Sequence, residues 1–454
     1  MMLLQSAFDA ARSALPVRIT GRVASLRGLT LLVDDLPLPA GALVRVGSSR
    51  MPLAGEVVGF TPQHAAVMVL GQTAGIRPGD PVTGVSIAAT ARVGTSLLGR
   101  VVDGLGRPLD GKGPLRESIA RPLSPEPVPA LRRTRITQQL LTGVRALDLM
   151  NPVGRGQRLG LFAGPGVGKS TLLGTIARRA SSDVNVIALI GERGREVADF
   201  MHDVLGEEGL RRSVVIVATG DESPLLRVRA AKLACTVAEF FRDRGRHVLL
   251  MMDSVTRFAH AQRLIGLSVG EPPATKGYPP SVFANLALLL ERAGAVRGEN
   301  GEGSITGLYT VLVEGDDMTE PVADASRGIL DGHIVLSRKL AHKAHFPAID
   351  VLDSVSRVAG DVTPADLGAA RRQITRLIAA HRDVEELVQI GAYAKGSNPE
   401  SDTALEFIRP INDLLKQGRD EAQPHEQSLR QFLKLASESA AAMNAGTRQR
   451  SRAG

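Results

Sequence analysis

Hydrophobic and polar positions change their spacing several times along this 454-residue chain. Residues 1–15 read as an amphipathic helix, because apolar side chains recur at helical spacing: Leu4, Phe8, Ala11 and Leu15. Packing on its own domain and docking onto a partner or a membrane surface both fit such a helix. From residue 16 to about residue 92 the period becomes two, as in residues 17–23 and 55–60, with frequent Gly and Pro. This second pattern predicts a small β-barrel.

Strands and helices alternate in the middle of the chain. The apolar runs that predict strands are residues 184–190, 213–219, 248–253, 304–313 and 333–336. The helix between the second and third of these has clear ends, with Ser223 as its cap, Pro224 in its first turn and Gly245 after its last. This alternation predicts an α/β domain with a mostly parallel sheet.

The limits of the predicted domains follow from turn signals and changes of period. The turn-rich segment 102–111 is interpreted as a linker. Beyond about Gly360 strand signals stop, Thr363 begins a capped helix, and helical patterns continue to Met443. The predicted units are a helix over 1–15, a barrel over 16–92, the α/β domain over 93–362 with a linker-rich beginning at 93–130, a helical domain over 363–443 and a basic tail over 444–454.

Composition narrows the class of protein. A chain of 454 residues with 43% hydrophobic residues suits about three globular domains. The net charge is +8, but the basic residues are dispersed except in the tail segment 448–452, so we favour a solvated tail over a nucleic-acid site. Cys235 is the single cysteine, which excludes an intramolecular disulfide and fits a reducing cytoplasm. Residues 1–15 do not resemble a signal peptide, and no apolar run approaches the ~20 residues that span a bilayer.

Residues 163–170, Ala-Gly-Pro-Gly-Val-Gly-Lys-Ser, form a phosphate-binding P-loop motif. An apolar run at 158–162 precedes the motif and a helical segment at 171–179 follows it, which is the setting the motif requires. Glycines let successive backbone N–H groups surround phosphate oxygens, and the helix N-terminus adds partial positive charge. We therefore expect a bound nucleoside triphosphate, held by Gly164, Pro165, Gly166, Val167, Gly168, Lys169, Ser170 and Thr171. The first motif position departs from the pattern, since it is Ala163 and not Gly.

Two carboxylates complete a candidate hydrolytic site. Asp253 ends the apolar run 248–253, as the metal-binding aspartate of a Walker B strand does, and would hold Mg²⁺ together with Ser170. Glu192 follows the strand at 184–190, where open α/β sheets place their sites. We expect Glu192 to act as the general base that polarises the attacking water. A surface carboxylate paired with Arg193 or Arg195 is the alternative for Glu192.

Several segments together resemble the catalytic subunits of rotary-type ATPases, and most of all the ATPases of type III export systems, particularly the flagellum-specific one. The resemblance covers about residues 16–420. The segments that carry it are 154–158, 191–196, 252–259, 277–284, 311–318, 332–338 and 391–397. It implies a RecA-like P-loop NTPase core that hydrolyses ATP with Mg²⁺ as cofactor.

The resemblance also implies roles for single residues. Arg193 and Glu196 would support the network of Glu192, with Glu196 near the metal, and Arg257 would lie near the γ-phosphate. Phe346 occupies the position at which related subunits stack an aromatic ring on adenine; a core Phe beside Pro347 is the alternative. Arg357 matches an arginine finger, which enters a neighbouring subunit's site and stabilises transition-state charge; an ordinary surface Arg is the alternative.

A homohexameric ring is the arrangement that these roles imply. Glu192 and Arg357 lie on one chain, so identical copies in a closed head-to-tail ring would complete one another's sites. From the family, the expected partners are a dimeric regulator at the N-terminus, a central stalk subunit, membrane proteins of the export gate, and export chaperones with their cargo. The resemblance also suggests that the loop at 268–280 faces the central pore. The expected location is cytoplasmic, peripheral at the inner face of the cytoplasmic membrane.

Other functions stay open at this point. The ATPase of an injectisome-type secretion system is the nearest alternative, and sequence separates it weakly from flagellar export. A catalytic or regulatory subunit of a rotary ATPase is a third reading, although Glu192 argues against a non-catalytic subunit. An RNA translocase would need aromatic residues for base stacking in its N-terminal domain, and residues 16–91 hold only Phe60. We therefore expect no nucleic-acid partner.

Overall fold

A computed structural model of the chain describes residues 18–47, 52–298, 301–313, 315 and 317–453, with side chains described as far as residue 445. The helix predicted over residues 1–15 lies outside the described residues.

Six antiparallel strands close into a barrel at the N-terminal end, as the period of two predicts. The order around the barrel is β1-β2-β5-β4-β3-β6. Alternate side chains point inward and form a separate apolar core that includes Leu31, Val33, Val44, Val57 and Val67. The strands are β1 (Thr20–Arg27), β2 (Thr30–Asp34), β3 (Leu43–Val46), β4 (Leu53–Phe60), β5 (Ala65–Val69) and β6 (Pro81–Ser86).

A short connection joins the barrel to the central sheet. It contains β7 (Thr90–Val93), which pairs antiparallel with β9 (Ile119–Pro122). Between them, β8 (Arg100–Asp103) runs parallel to a strand at the edge of the central sheet. The interpretation of 102–111 as a linker is therefore wrong at its start. The turn signals belong to one tight turn, in which the buried Asp103 accepts hydrogen bonds from the backbone of Leu105 and Arg107.

Nine strands form the central sheet, in the order β19-β18-β12-β17-β15-β13-β14-β8, with β16 paired to β17. All neighbours along this order are parallel except β18–β19, and β16 is antiparallel to β17. A mostly parallel sheet is thereby confirmed. Two short strands, β10 (Gln139–Leu140) and β11 (Val153–Gly154), form a separate pair. The remaining strands of the central sheet are β12 (Arg158–Ala163), β13 (Val184–Ile190), β14 (Ser213–Ala218), β15 (His247–Asp253), β16 (Gly294–Gly298), β17 (Gly301–Leu312), β18 (Gly332–Leu336) and β19 (Ile349–Ser356).

Helices cover both faces of this sheet, so its strands are apolar on both sides. One face packs on α4 to α7, and the other on α1, on the π-helical turns Ala146–Met150 and Phe200–Leu205, and on α10 to α12. The bounds are α1 (Lys169–Arg179), α2 (Gly194–Asp199), α3 (Gly206–Arg211), α4 (Pro224–Arg242), α5 (Val255–Ser268), α6 (Pro280–Leu290), α7 (Pro321–Ile329), α8 (Arg338–His342), α9 (Ala359–Val362), α10 (Ala365–Gln389), α11 (Pro399–Leu415) and α12 (His425–Ala453).

The C-terminal helices pack on the sheet through their own apolar side chains. Ile374 and Leu377 of α10, Leu415 of α11 and Phe432 of α12 are all buried in the core on that face. The helical pattern, predicted to end at Met443, continues in α12 to Ala453. None of the helices within the described ranges combines the length and apolarity needed to cross a bilayer.

Two helix starts show where local signals were sufficient and where they were not. Ser223 caps α4 by accepting a hydrogen bond from the Leu226 backbone N–H, as predicted. The start of α10 differs from the prediction, because the cap position is held by Pro364, whose side chain has no acceptor. Thr363 turns back instead and donates to the Ala359 carbonyl. The preceding short helix α9 offers that carbonyl, which the local sequence pattern did not indicate.

Replacing these two hydroxyls should have unequal effects. Ser223→Ala removes a capping acceptor and should reduce local stability by about 1 kcal/mol. Hydrogen exchange at the Leu226 amide is the measurement, since that amide loses its partner. Thr363→Ala serves as the matched control and should leave the amides of the first turn of α10 unchanged. Faster exchange in that turn would mean that Thr363 does act as a cap.

Candidate active site

The P-loop joins the end of β12 to the start of α1. Gly166 and Gly168 have φ angles of 77° and 89°, in the left-handed region that favours glycine. Gly168 is the cap residue of α1, and no side chain accepts from the first turn of the helix. The N–H groups at this helix start therefore remain available to an anion. Ser170 and Thr171 are exposed beside them.

Ala163 is compatible with the motif because it belongs to the strand. Its side chain is buried, and its carbonyl accepts a hydrogen bond of 3.1 Å from the Val313 backbone of the neighbouring strand end. The turn itself begins after this position, so the glycines that would contact phosphate remain in place.

Lys169 lies between two carboxylates. Its Nζ donates to Oδ1 of Asp253 at 2.6 Å and lies 3.9 Å from Oε1 of Glu192. All three side chains are largely buried at the carboxyl edge of the sheet. The structure thus brings together the three residues on which the predicted chemistry depends.

Asp253 is held by a second residue that the sequence did not single out. Oδ1 of Asp253 also accepts a hydrogen bond of 2.7 Å from the hydroxyl of Thr310, on the adjacent strand β17. The parallel register pairs Met252 with Tyr309, which places Thr310 beside Asp253. A threonine inside a predicted strand gives no local signal of this contact, so only strand pairing could reveal it.

Glu192 follows β13 and is only 7% exposed. Its Oε1 is buried without a hydrogen-bond partner in the described part of the chain, 3.7 Å from Nε of Arg257. Burial and, next, the negative charge of Asp253 raise the pKa of Glu192 to about 7, although Lys169 and Arg257 act in the opposite direction. A carboxyl group with such a pKa is suited to exchanging a proton near neutral pH.

Glu196 and Arg193 occupy the rim of the site and not its interior. A side-chain hydrogen bond between Glu196 and Glu192 lowers the pKa of Glu196 and raises that of Glu192. The side chain of Arg193 is 83% exposed and lies 3.8 Å from Glu196. Within one chain, Arg193 therefore does not reach the interior where Lys169 and Asp253 meet.

Phe346 forms one wall of a cavity of about 510 Å³ beside the P-loop. The ring is 45% exposed, and a Cβ built on Gly168 would lie 3.7 Å from it. The volume is within the range of small-molecule sites, and the lining is mainly apolar. An exposed aromatic ring at this place is more consistent with stacking on a planar ligand than with a core role.

Part of the lining of this cavity comes from the C-terminal helical region, which the sequence analysis missed. Gln417, Gly418 and Arg419 line it, in the connection between α11 and α12. No motif marks these residues. Their position depends on packing between segments more than 200 residues apart.

Arg357 lies far from the P-loop of its own chain. It follows β19, and its backbone N–H donates to the Asp331 carbonyl at the amino end of β18. The P-loop starts at the other end of the six-residue strand β12, about 20 Å away at ~3.3 Å per residue. The side chain is exposed. An arginine at this edge is accessible to a second chain and cannot reach its own phosphate site.

The donor set suits Mg²⁺ in the presence of a nucleotide. No group of three or more His, Cys, Asp or Glu side chains in the described ranges could hold a metal ion alone. Mg²⁺ commonly takes one or two carboxylates or hydroxyls from the protein and completes its shell with phosphate oxygens and water. The Asp253 carboxylate and the Ser170 hydroxyl have this chemistry, and Glu196 stands at the rim.

Comparison with known proteins gives consistent results. Residues 143–356 match the ATP synthase alpha/beta family, nucleotide-binding domain, and residues 362–434 match the T3SS EscN ATPase C-terminal domain. The flagellum-specific ATP synthase of Treponema pallidum is 50% identical over 91% of this chain and 92% of its own length. The type 3 secretion system ATPase of Xanthomonas euvesicatoria is 46% identical over 94% of this chain and 96% of its own.

A solved structure extends the likeness to three dimensions. The assembled ATPase EscN in complex with its central stalk EscO, from the type III secretion system of enteropathogenic E. coli, superposes with a TM-score of 0.84. It is 40% identical and covers 92% of this chain and 100% of that chain. The chain therefore belongs to the ATP synthase alpha/beta family, as an ATPase of flagellar and type III protein export.

Proposed function

We propose that this chain forms a homohexameric ring that hydrolyses Mg²⁺-bound ATP and energises protein export through the flagellar type III apparatus. The observation that carries the proposal is the convergence of Lys169, Asp253 and Glu192 at one sheet edge, with Lys169 Nζ 2.6 Å from Asp253 and 3.9 Å from Glu192. Of these three residues, nucleotide binding needs only Lys169. Hydrolysis needs all three.

Each residue has a role that follows from its position. Lys169 and the N–H groups around Gly166 and Gly168 bind phosphate oxygens. Ser170 and Asp253 would hold Mg²⁺, which supplies positive charge against the phosphates when bound. Lys169, which contacts Asp253 here, would turn to the phosphates, leaving the Asp253 carboxylate available to hold Mg²⁺.

Glu192, once deprotonated, accepts a hydrogen bond from the attacking water and then its proton. Arg257 lies close enough to fix the Glu192 carboxylate. Glu196 and Arg193 support this carboxylate from the rim. Phe346 stacks on the base.

The second half of each site would come from a neighbouring copy. Arg357 is exposed at the sheet edge opposite its own P-loop, where it can enter the adjacent site in a head-to-tail ring. A guanidinium there would stabilise charge on the equatorial oxygens of the transferred phosphoryl group. One chain carries both Glu192 and Arg357, so six identical copies would form six complete sites.

Flagellar export is proposed ahead of injectisome export because the Treponema flagellar relative is slightly more similar than the Xanthomonas secretion relative, at 50% against 46% identity. The proposed partners are a central stalk, by analogy with EscO, a dimeric regulator at the N-terminus, the export gate, and chaperones with their cargo. The proposed location is the cytoplasmic side of the membrane, in peripheral association.

The pathway is testable in cells of the source organism. Affinity capture of the tagged protein should recover flagellar export components, because each pathway supplies its own gate and chaperones. The Lys169→Ala variant, which should not use nucleotide, is the control: partners that it also recovers bind independently of ATPase activity. Recovery of injectisome components in place of flagellar ones would overturn the flagellar assignment.

Activity should depend on the protonation of Glu192. The pKa of about 7 means that the carboxyl gains a proton as pH falls through 7 and then cannot accept one from water. We expect kcat/KM for ATP to be constant above about pH 8 and, below about pH 6.5, to fall about tenfold per pH unit, in inverse proportion to proton concentration. A steady-state profile from pH 5.5 to 8.5 measures this. A flat profile would exclude Glu192 as the base.

Mixing variants should reveal the shared site. Glu192→Gln chains and Arg357→Ala chains should each be inactive alone. In an equal mixture, roughly a quarter of the interfaces pair an intact Glu192 with an intact Arg357, so partial ATPase activity should return. Glu192→Gln mixed with Lys169→Ala is the matched control, because no interface then regains a complete site. Absence of recovery in the first mixture would refute the shared site.

A further inference from the structure

We call the segment 416–424 the strap, and the cavity beside Phe346 and the P-loop the base cavity. Part of the strap lines that cavity. The strap connects Leu415, the last residue of α11, to the start of α12. Gln417, Gly418 and Arg419 line the cavity together with Phe346 and the P-loop glycines. The strap has no regular secondary structure, so its position depends on the side chains that hold it.

Arg145 is the main such side chain. It precedes the π-helical turn Ala146–Met150 of the nucleotide-binding region, and only 10% of its side chain is exposed. Nη2 donates to the Lys416 carbonyl, and Nη1 donates to the side chains of Glu421 and Gln423. One guanidinium therefore contacts the strap near both of its ends.

Gln417 connects the same arginine to the base cavity. Its Oε1 accepts from the Arg145 backbone N–H at 2.9 Å, and its Nε2 donates to the Gly143 carbonyl at 2.9 Å. Its own backbone N–H donates to the Phe346 carbonyl at 2.8 Å. The residue thus ties the strap to the backbone of the residue whose ring borders the cavity.

A second arginine holds the strap from the P-loop helix. Arg179, the last residue of α1, donates to the carbonyls of Arg419 and Glu421. The helices on either side of the strap have separate anchors, since Leu415 and Phe432 are buried in the apolar core. Loss of one strap contact should therefore move the strap without releasing the helices.

We propose that Arg145 is a positioning residue: by holding the strap, it places the cavity wall formed by Gln417, Gly418 and Arg419 against the nucleobase and so affects how tightly the base is bound. The ligand of this wall is a purine base, and the inference rests on ATP as the proposed substrate. Arg145 has no contact with the phosphate site and acts only through the strap.

The test separates base binding from phosphate binding. Arg145→Ala loses several charge-assisted hydrogen bonds to the strap, and we expect KM for ATP to rise about tenfold while kcat changes less than about twofold. Inhibition by Mg²⁺-tripolyphosphate, which has the phosphates but no base, should keep its wild-type Ki. Arg145→Lys should give an intermediate KM, because one ammonium replaces only part of the fork.

Two further variants complete the design. Arg133→Ala is the matched control, since Arg133 also donates to two backbone carbonyls, of Glu291 and Ala293, but away from the strap; its KM should stay at the wild-type value. Gln417→Ala should repeat the KM effect, and combining it with Arg145→Ala should add little. An unchanged KM in both strap variants, or equal losses of ATP and tripolyphosphate affinity, would overturn the proposal. An inactive wild-type enzyme would instead refute the proposed function.

Discussion

Parallel pairing of β13, β15, β17 and β12 is the constraint on which the site depends. It brings the carboxyl ends of four strands to one edge, so that Lys169, Asp253, Thr310 and Glu192 meet although they are far apart in the chain. Strands covered by helices on both faces can be apolar throughout, and only their ends carry polar chemistry. The buried charges at this edge are therefore concentrated where the P-loop begins.

Burial at that edge gives the carboxylates different properties. Asp253 has two donors, the ammonium of Lys169 and the hydroxyl of Thr310, which suits an ionised group beside a cation. Glu192 has an oxygen without a hydrogen-bond partner in the described residues; its burial and, next, the charge of Asp253 raise its pKa to about 7. Two carboxyl groups a few ångströms from one lysine thus have different surroundings, and Glu192 is the one suited to exchanging a proton.

The base cavity is built from parts of the chain that are far apart in sequence. The P-loop belongs to one strand–loop–helix unit, whereas the cavity proposed for the base is lined by Phe346 and by the strap as well. Arg145, Gln417 and Arg179 connect these two parts through hydrogen bonds between segments more than 200 residues apart.

The sequence by itself determined the parts that are local. The P-loop, the carboxylates after β13 and β15, the cap at Ser223 and the change of period at the barrel each depend on neighbouring residues, and strand periodicity predicted the sheet. Tertiary structure alone decided the contact of Thr310 with Asp253, the strand that begins the supposed linker at 102–111, the uncapped start of α10 and the strap. These depend on strand order, on register and on which distant segments pack together. The residue pattern within one segment does not predict them, because strand order, register and long-range packing are stabilised by contacts between different segments.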